Sequence, residues 1–207
     1  MGIHFNQSLH LNHLTLPDKN LKLEIMRILK KILVVLAIII AIPLIVALFV
    51  KKDYEVEREV IINKPKAEVF NYIKFIKNQD HYSKWSMMDP AMKKTYQGTD
   101  GTVGFISAWE SNNKEVGAGE QEITAIKDGE RIDLKLRFKV PFEAQDDAYF
   151  VTESVSDNQT KVKWGFKGSF PYPMNFMGLF FDMDKAVGGD LQTGLDNLKK
   201  ILENHSE

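Results

Sequence analysis

Residues 131–140 read RIDLKLRFKV and alternate apolar and charged side chains without a break. Successive residues of a β-strand point to opposite faces, so the apolar side chains share one face and the charged ones share the other. This alternation predicts an antiparallel strand with one face in the core and the other in water. We therefore expect Asp133 and Arg137 to be solvated.

Segments with the same two-residue period lie on both sides of this strand. The other predicted strands are residues 54–63, 92–97, 105–110, 119–126, 144–154 and 161–169. Asp128-Gly129 and Ser156-Asp157-Asn158 separate neighbouring strands and are typical of short turns. Helical patterns interrupt the series, because one helix follows Asn63-Lys64-Pro65 and a short helix or irregular segment covers residues 80–85.

The C-terminal part of the chain is predicted to be helical. A short helical arm covers Met174–Met183, and Leu191, Leu195, Leu198 and Leu202 then recur at helical spacing. A run of strands flanked by helices indicates an α+β fold. The order of elements predicts a helix-grip fold, in which a curved antiparallel sheet of six to seven strands wraps around a long C-terminal helix and leaves a space beside it.

A long apolar segment precedes these elements. Ile32–Val50 reads ILVVLAIIIAIPLIVALFV, a stretch of 19 residues without a charge. As a helix it would be roughly 28 Å long, close to the ~30 Å thickness of the bilayer interior. It predicts one transmembrane helix and a single-pass membrane protein. The alternatives are a buried core helix, which would need a polar face, and a cleaved signal peptide, which would need a small-x-small site before Lys51.

The residues around this segment bear on topology. More Lys and Arg side chains precede the apolar segment than follow it, which favours a cytoplasmic N-terminus and a C-terminal domain outside. Residues 1–31 form an N-terminal extension with a basic flank, and Met26 is an alternative start of translation. The N-terminal His4, His10 and His13 make a weak metal site because nothing fixes their geometry, so no metal is expected.

Charge and composition exclude several function classes. Residues 1–52 carry seven Lys or Arg and two Asp or Glu, whereas residues 53–207 carry 20 Lys or Arg and 26 Asp or Glu. An acidic domain without a basic stripe disfavours nucleic acid as a partner. The chain has no cysteine, which excludes disulfides, a cysteine nucleophile and thiolate metal sites. Nucleotide-binding and hydrolase motifs are also missing, so no cofactor is expected.

Four motifs resemble a known family. They are Ile62–Phe70 (INKPKAEVF), Trp85-Ser86 with Met88-Asp89-Pro90, Trp109–Gly117 (WESNNKEVG) and Gly194–Lys199 (GLDNLK). With the order of elements, they make residues 54–203 similar to the START-like (SRPBCC) superfamily, the fold of the birch pollen allergen. The most similar group is the polyketide cyclase/dehydrase and lipid-transport group, which includes bacterial members with an N-terminal membrane anchor. The resemblance implies a cavity for a hydrophobic or amphipathic small molecule or lipid, with chemistry in only some branches.

We expect this cavity to be lined by inward-facing strand residues, by Trp85 and by the Met- and Phe-rich segment before the last helix. The expected lining residues are Trp85, Phe105, Trp109, Leu134, Leu136, Phe138, Trp164, Phe166, Met177, Phe180 and Phe181. The last three would form an adaptable cover over the ligand. Each of these apolar residues can equally be ordinary core.

Groups capable of acid–base chemistry are few. His81 is the one histidine of the soluble domain apart from His205 near the chain end, and its polar surroundings favour a surface position. The candidate carboxylates are Glu110, Glu115, Glu120, Glu122 and Asp133. Glu110 is the catalytic candidate because it adjoins Trp109. Ligand binding is therefore favoured over a cyclase- or dehydratase-like enzyme, and a structural or partner-binding domain is the third possibility.

Overall fold

The computed structural model describes residues 19–204. The chain divides into two compact units, with the boundary between Val46 and Ala47. The three N-terminal histidines that were considered as a metal site lie outside the described residues, as does His205.

The first unit contains the helix α1 (Lys19–Ala47) of 29 residues, except for the last residue of the helix, which belongs to the second unit. Its most apolar window has a mean hydropathy of 2.7, so by length and composition it can cross a membrane; a signal sequence passes the same test. The helix begins before the predicted span Ile32–Val50 and ends three residues before the end of that span. Its N-terminal extension, residues 19–31, is rich in Lys and Leu, which are good helix formers.

The second unit contains the other elements, in the order strand, helices, strands, helix. They are β1 (Asp53–Ile62), α2 (Lys66–Ile73), a 3₁₀ turn (Ile76–Asn78), α3 (Gln79–Tyr82), α4 (Lys84–Met88), β2 (Lys93–Gln97), β3 (Ile106–Glu110), β4 (Ala118–Lys127), β5 (Arg131–Val140), β6 (Ala144–Ser156), β7 (Gln159–Ser169), a 3₁₀ helix (Met174–Leu179) and α5 (Met183–Asn204).

All seven strands form one antiparallel sheet in the order β1-β7-β6-β5-β4-β3-β2. The first strand pairs with the last, so Asp53 lies opposite Ser169 and Ile62 lies opposite Thr160. Strand β5 has the predicted limits, and the other strands end within two residues of theirs. The predicted α+β helix-grip fold is confirmed.

The core lies between the inner face of the sheet and α5. The helix buries the predicted row Leu191, Leu195, Leu198 and Leu202. These side chains join one apolar cluster with residues of α2 and of the strands, including Val69, Phe70, Ile73, Val56, Ile62, Ile132, Phe150 and Val162. Burial of this apolar stripe holds the helix against the sheet, because each fully buried Leu or Ile contributes roughly 1.5–3 kcal/mol.

The outer face of the sheet carries ion pairs between neighbouring strands. Lys167 Nζ lies 2.9 Å from Glu55 Oε1, and Lys135 Nζ of β5 lies 3.0 Å from Asp147 Oδ1 of β6. Arg137 also pairs on this face, with Glu120 at 3.2 Å. These partly exposed charges agree with the expectation that the charged residues of β5 face solvent.

The predicted helical arm Met174–Met183 differs from the structure. A 3₁₀ helix covers only Met174–Leu179, and α5 begins after a break at residues 180–182. Asn175 is responsible for part of this geometry, because its side chain points into the structure and donates hydrogen bonds to two backbone carbonyl groups. Gly178, which has a low helix propensity, lies in the same segment.

Candidate functional site

A cavity of about 280 Å³ lies between the sheet and α5. Strands β3 to β7 provide its floor, α3 and α4 close one side, and Val187 and Leu191 of α5 lie across it. Its volume is just below the roughly 300–1,000 Å³ typical of ligand pockets. At ~30 Å³ per water molecule, it equals the volume of about nine waters.

The three tryptophans of the chain all line this cavity. The rings of Trp85 and Trp164 meet edge to face, with centroids 6.1 Å apart. Trp109 makes a similar contact with Phe138 at 6.0 Å. Edge-to-face packing fixes ring orientation, so these residues form a defined apolar wall.

The helix and the sheet approach closely at Trp164. Gly194 of α5 lies over the Trp164 ring, and a Cβ atom added at Gly194 would be 2.6 Å from Cζ3. Such a distance is far inside van der Waals contact, which is about 3.5–4.0 Å between carbon atoms. Glycine at this position therefore lets the ring lie between helix and sheet and remain in the cavity wall.

One end of the cavity is polar. Gln121 of β4 donates a hydrogen bond from Nε2 to Gln79 Oε1 at 3.0 Å. Gln79 is 6% exposed, and its own Nε2 has no hydrogen-bond partner among the described residues. An unsatisfied buried amide costs about 1–3 kcal/mol, which an acceptor that reached this nitrogen would recover. Ser83 and Ser107 are also buried and line the cavity.

Charged side chains lie beside this polar end. Lys94 donates to Asp80, and both residues line the cavity together with Glu115. The Tyr96 hydroxyl makes a long contact of 3.5 Å with Asp80 Oδ2. Burial, and secondarily the negative charge of Asp80, raises the pKa of Tyr96. The site thus contains an ion pair and a further carboxylate that a polar ligand group can contact.

Seven of the eleven residues expected in the cavity lie in its wall. They are Trp85, Trp109, Leu134, Leu136, Phe138, Trp164 and Phe166. Phe105 is buried but does not line the cavity. It precedes β3, which begins at Ile106, and its ring stacks on Tyr96 of β2.

The expected cover over the cavity is not formed by Met177, Phe180 and Phe181. None of the three lines the cavity, and all three are exposed on the surface. The physical reason is the break before α5, which directs this segment away from the cavity instead of continuing it as a helix across the opening.

Glu110 also lies outside the cavity. Its side chain is 70% exposed, and its Oε2 lies 3.5 Å from Lys93 Nζ. Because strand residues alternate, the inward position of Trp109 places Glu110 on the opposite face. Glu115 is the one carboxylate among the sequence candidates that lines the cavity. His81 is exposed and does not line it; its Nδ1 is 3.4 Å from the Tyr72 hydroxyl.

Several polar lining residues were not singled out in the sequence. Gln79 and Asp80 lie on the short helix α3, and Lys94 lies on the edge strand β2. The inward position of Gln121 could be read from its shared face with Ile123. No sequence period identifies the residues of a short helix. Within residues 19–204, no three His, Asp or Glu side chains come together as metal ligands.

Residues 53–203 match the family model described as "Polyketide cyclase / dehydrase and lipid transport". The match spans most of the chain, which therefore belongs to this family of ligand-binding domains. The comparison with curated proteins returned no match.

Solved structures with the same fold come from several organisms. Norcoclaurine synthase from Thalictrum flavum, in complex with dopamine and hydroxybenzaldehyde, is similar with a TM-score of 0.57 and 10% identity over 75% of this chain and 89% of that one. A protein from Mesorhizobium loti has a TM-score of 0.52 and 11% identity over 74% of this chain and 100% of that one. The Aha1 dimer from Colwellia psychrerythraea has a TM-score of 0.51 and 14% identity over 74% of this chain and 99% of that one. Similarity at these identities establishes the fold.

Proposed function

We propose that the domain holds a compact amphipathic molecule in the cavity between the sheet and α5, close to a membrane to which α1 anchors it. The observation that carries this proposal is an apolar cavity with one polar end, where the buried Gln79 amide has an Nε2 without a partner among the described residues. Burial of the apolar ligand body would supply affinity, and the polar end would set its orientation.

The size of the cavity restricts the ligand. A volume of about 280 Å³ accommodates a small ring system or a short chain, and a two-chain phospholipid far exceeds it. The polar end favours a ligand with a carbonyl, hydroxyl or carboxylate oxygen that accepts a hydrogen bond from Gln79. Within the lipid-transport description of the family, a small single-chain or isoprenoid-like molecule therefore fits better than a membrane phospholipid.

A cavity-filling substitution tests binding. Ala148 lies in the cavity floor on β6, and Ala144 is exposed on the same strand. We expect Ala148→Leu to weaken binding of the fluorescent probe 1-anilinonaphthalene-8-sulfonate at least tenfold, because the new side chain occupies ligand space. Ala144→Leu should leave binding unchanged. The fluorescence of Trp85, Trp109 and Trp164 reports occupancy independently, since all three line the cavity.

Equal probe affinity in the two variants, with both folded, would contradict binding in this cavity. Mass spectrometry of small molecules extracted from the purified chain then identifies the ligand. A reproducibly empty cavity that also fails to bind the probe would refute the proposal.

Enzymatic activity is the second candidate. The Asp80–Lys94 pair and Glu115 place ionisable groups at the cavity, which a cyclase- or dehydratase-like mechanism requires. Mass spectrometry distinguishes the two functions, because a binding domain returns its ligand unchanged and an enzyme returns a product. A purely structural domain would be expected to fill its interior with side chains.

The membrane part of the proposal is supported by α1, by the charge-free segment Ile32–Val50 and by the lysines on both sides of it. A tethered cavity would meet bilayer-derived molecules at a high effective concentration. The excess of basic residues on the amino side favours an N-terminus in the cytoplasm and the binding domain outside.

A further inference from the structure

The second unit exposes a group of apolar side chains at the point where the chain leaves α1. This apolar patch consists of Leu48, Phe49, Met174, Met177, Leu179, Phe180 and Phe181. Phe49 is 85% exposed and Phe180 is 80% exposed. Phe49, Leu179, Phe180 and Phe181 also line one surface groove, so the two chain segments are adjacent. Exposed apolar clusters of this kind mark interaction surfaces in soluble domains.

A buried asparagine fixes the patch to the chain that follows the apolar helix. Asn175 is fully buried, and its Nδ2 donates to the carbonyl oxygens of Ala47 at 2.7 Å and Val50 at 2.8 Å. Ala47 is the last residue of α1, where carbonyl groups lack partners within the helix, so the asparagine satisfies an acceptor that would otherwise be left open. The segment 174–181 is thereby held against residues 47–50.

From this attachment we propose that the apolar patch inserts into the interfacial region of the bilayer leaflet at which the apolar segment Ile32–Val50 ends. The inference rests on the membrane anchoring in the proposed function. When Ile32–Val50 spans the bilayer, residues 47–50 lie at the boundary of its apolar interior, and the Asn175 hydrogen bonds keep the patch there.

Side-chain chemistry also fits a lipid partner. Residues 174–181 read MNFMGLFF and carry no charge, and the exposed Lys51 and Lys52 adjoin the patch in the chain. Apolar side chains beside lysines match the boundary between acyl chains and anionic headgroups. The position of the patch at the end of a transmembrane segment favours lipid over a soluble protein partner.

Insertion of the patch would bring the cavity near the bilayer. Phe166 of the cavity wall stacks on Tyr54, with centroids 6.1 Å apart, and the Tyr54 ring is 5.1 Å from Phe170. Phe170 lines the groove that includes the patch residues. Two ring contacts therefore connect the cavity wall with the patch.

The absence of cysteine permits a direct test with the full chain. Phe180→Cys and Val155→Cys each receive one environment-sensitive fluorophore, and the proteins are reconstituted in phosphatidylcholine–phosphatidylglycerol vesicles that contain a lipid with a nitroxide near the headgroup end of its acyl chain. Val155 is a matched control, because it is apolar, 49% exposed and lies in the β6–β7 hairpin at the opposite end of the sheet. The two ends of the sheet are far apart, because β7 alone covers about 30 Å from Ser169 to Thr160.

We expect the nitroxide to quench the fluorophore at residue 180 at least threefold more than that at residue 155, and Met177→Cys should behave like Phe180→Cys.

Equal quenching at residues 180 and 155, in protein that floats with the vesicles, overturns the insertion of the patch and leaves the anchor intact. Failure of the chain to float contradicts the membrane anchor itself. A disulfide that joins two copies of the unlabelled Phe180→Cys chain, without lipid quenching of the labelled one, assigns the patch to self-association and overturns the proposal.

Discussion

Gly194 shows how one missing side chain shapes the cavity. On a helix, Gly→Ala ordinarily stabilises a protein by about 0.5–1 kcal/mol, because glycine loses more backbone entropy on folding. At Gly194 the new Cβ would lie 2.6 Å from the ring of the buried Trp164, whereas at Gly189 of the same helix nothing lies within 4 Å. The two positions therefore separate helix propensity from packing.

We expect Gly194→Ala to destabilise the domain by roughly 1–2 kcal/mol, since overpacking of a filled core costs about 1–3 kcal/mol. The displaced Trp164 ring should also weaken probe binding. Gly189→Ala should stabilise the fold and leave binding unchanged. Urea unfolding followed by tryptophan fluorescence measures both variants, and equal stability changes at the two glycines would show that the ring moves without cost.

At the scale of elements, β4 and β5 are joined by charges on the outer face as well as by backbone hydrogen bonds. Glu120 of β4 accepts from Lys139 Nζ at 3.0 Å and from Arg137 Nη1 at 3.2 Å. The hydrogen bond from Lys139, aided by both positive charges, lowers the pKa of Glu120 below its ordinary value of 4.5. The ionised form therefore stabilises the folded state above the unfolded pKa, and this stabilisation disappears as the pH falls through the lowered folded pKa.

Glu120→Gln should accordingly lower the stability of the domain at pH 7, and its difference from the natural chain should shrink below about pH 4.5. The urea midpoint at pH 7 and at pH 3 gives the measurement. Glu143→Gln, at an exposed position in the β5–β6 turn, serves as the control. A stability difference that stays constant over this pH range would mean that the charge of Glu120 is not the cause.

At the scale of the whole molecule, the net charge of −1 describes neither part of the chain. It combines a basic N-terminal part with an acidic domain, and the structure divides the chain near the same place, at Val46 and Ala47. The hydrophobic core draws all its members from residues 56–202. We infer that the second unit carries its own folding information.

The fragment 47–207 is expected to unfold in one cooperative transition and to keep the near-ultraviolet circular dichroism of its buried aromatic residues. It retains Ala47 and Val50, the two partners of Asn175. The full chain should resist extraction from membranes by alkaline carbonate, since we propose that α1 spans the bilayer. Gradual unfolding of the fragment would show that its core depends on residues before 47, and extraction of the full chain would show that α1 is not an anchor.

The strands were predictable because their signal is local. The alternation in residues 131–140 depends on two-residue geometry alone, and it placed Leu134, Leu136 and Phe138 on the inner face. The same two-residue alternation placed Phe105 on the face of Trp109, yet Phe105 packs outside the cavity. Alternation identifies the face of the sheet on which a residue lies, whereas the neighbouring elements determine which residues of that face line the cavity.

The segment 174–181 illustrates the same limit for helices. Its apolar composition suggested a cover over the cavity, but composition does not specify whether a segment turns inward or outward. Asn175 decides this through hydrogen bonds to Ala47 and Val50, which are more than a hundred residues away in the chain.

By itself, the sequence determined the order and limits of the strands, the long helices, the separation of a basic apolar N-terminal part from an acidic domain and the family to which the domain belongs. These properties follow from local periodicity, charge and motifs. Only the tertiary structure decided that Gln79, Asp80 and Lys94 meet at the polar end of the cavity, that Glu110 faces solvent and that the Met- and Phe-rich segment lies on the surface. Such placements depend on packing between elements that are distant in the chain, and no local pattern encodes them.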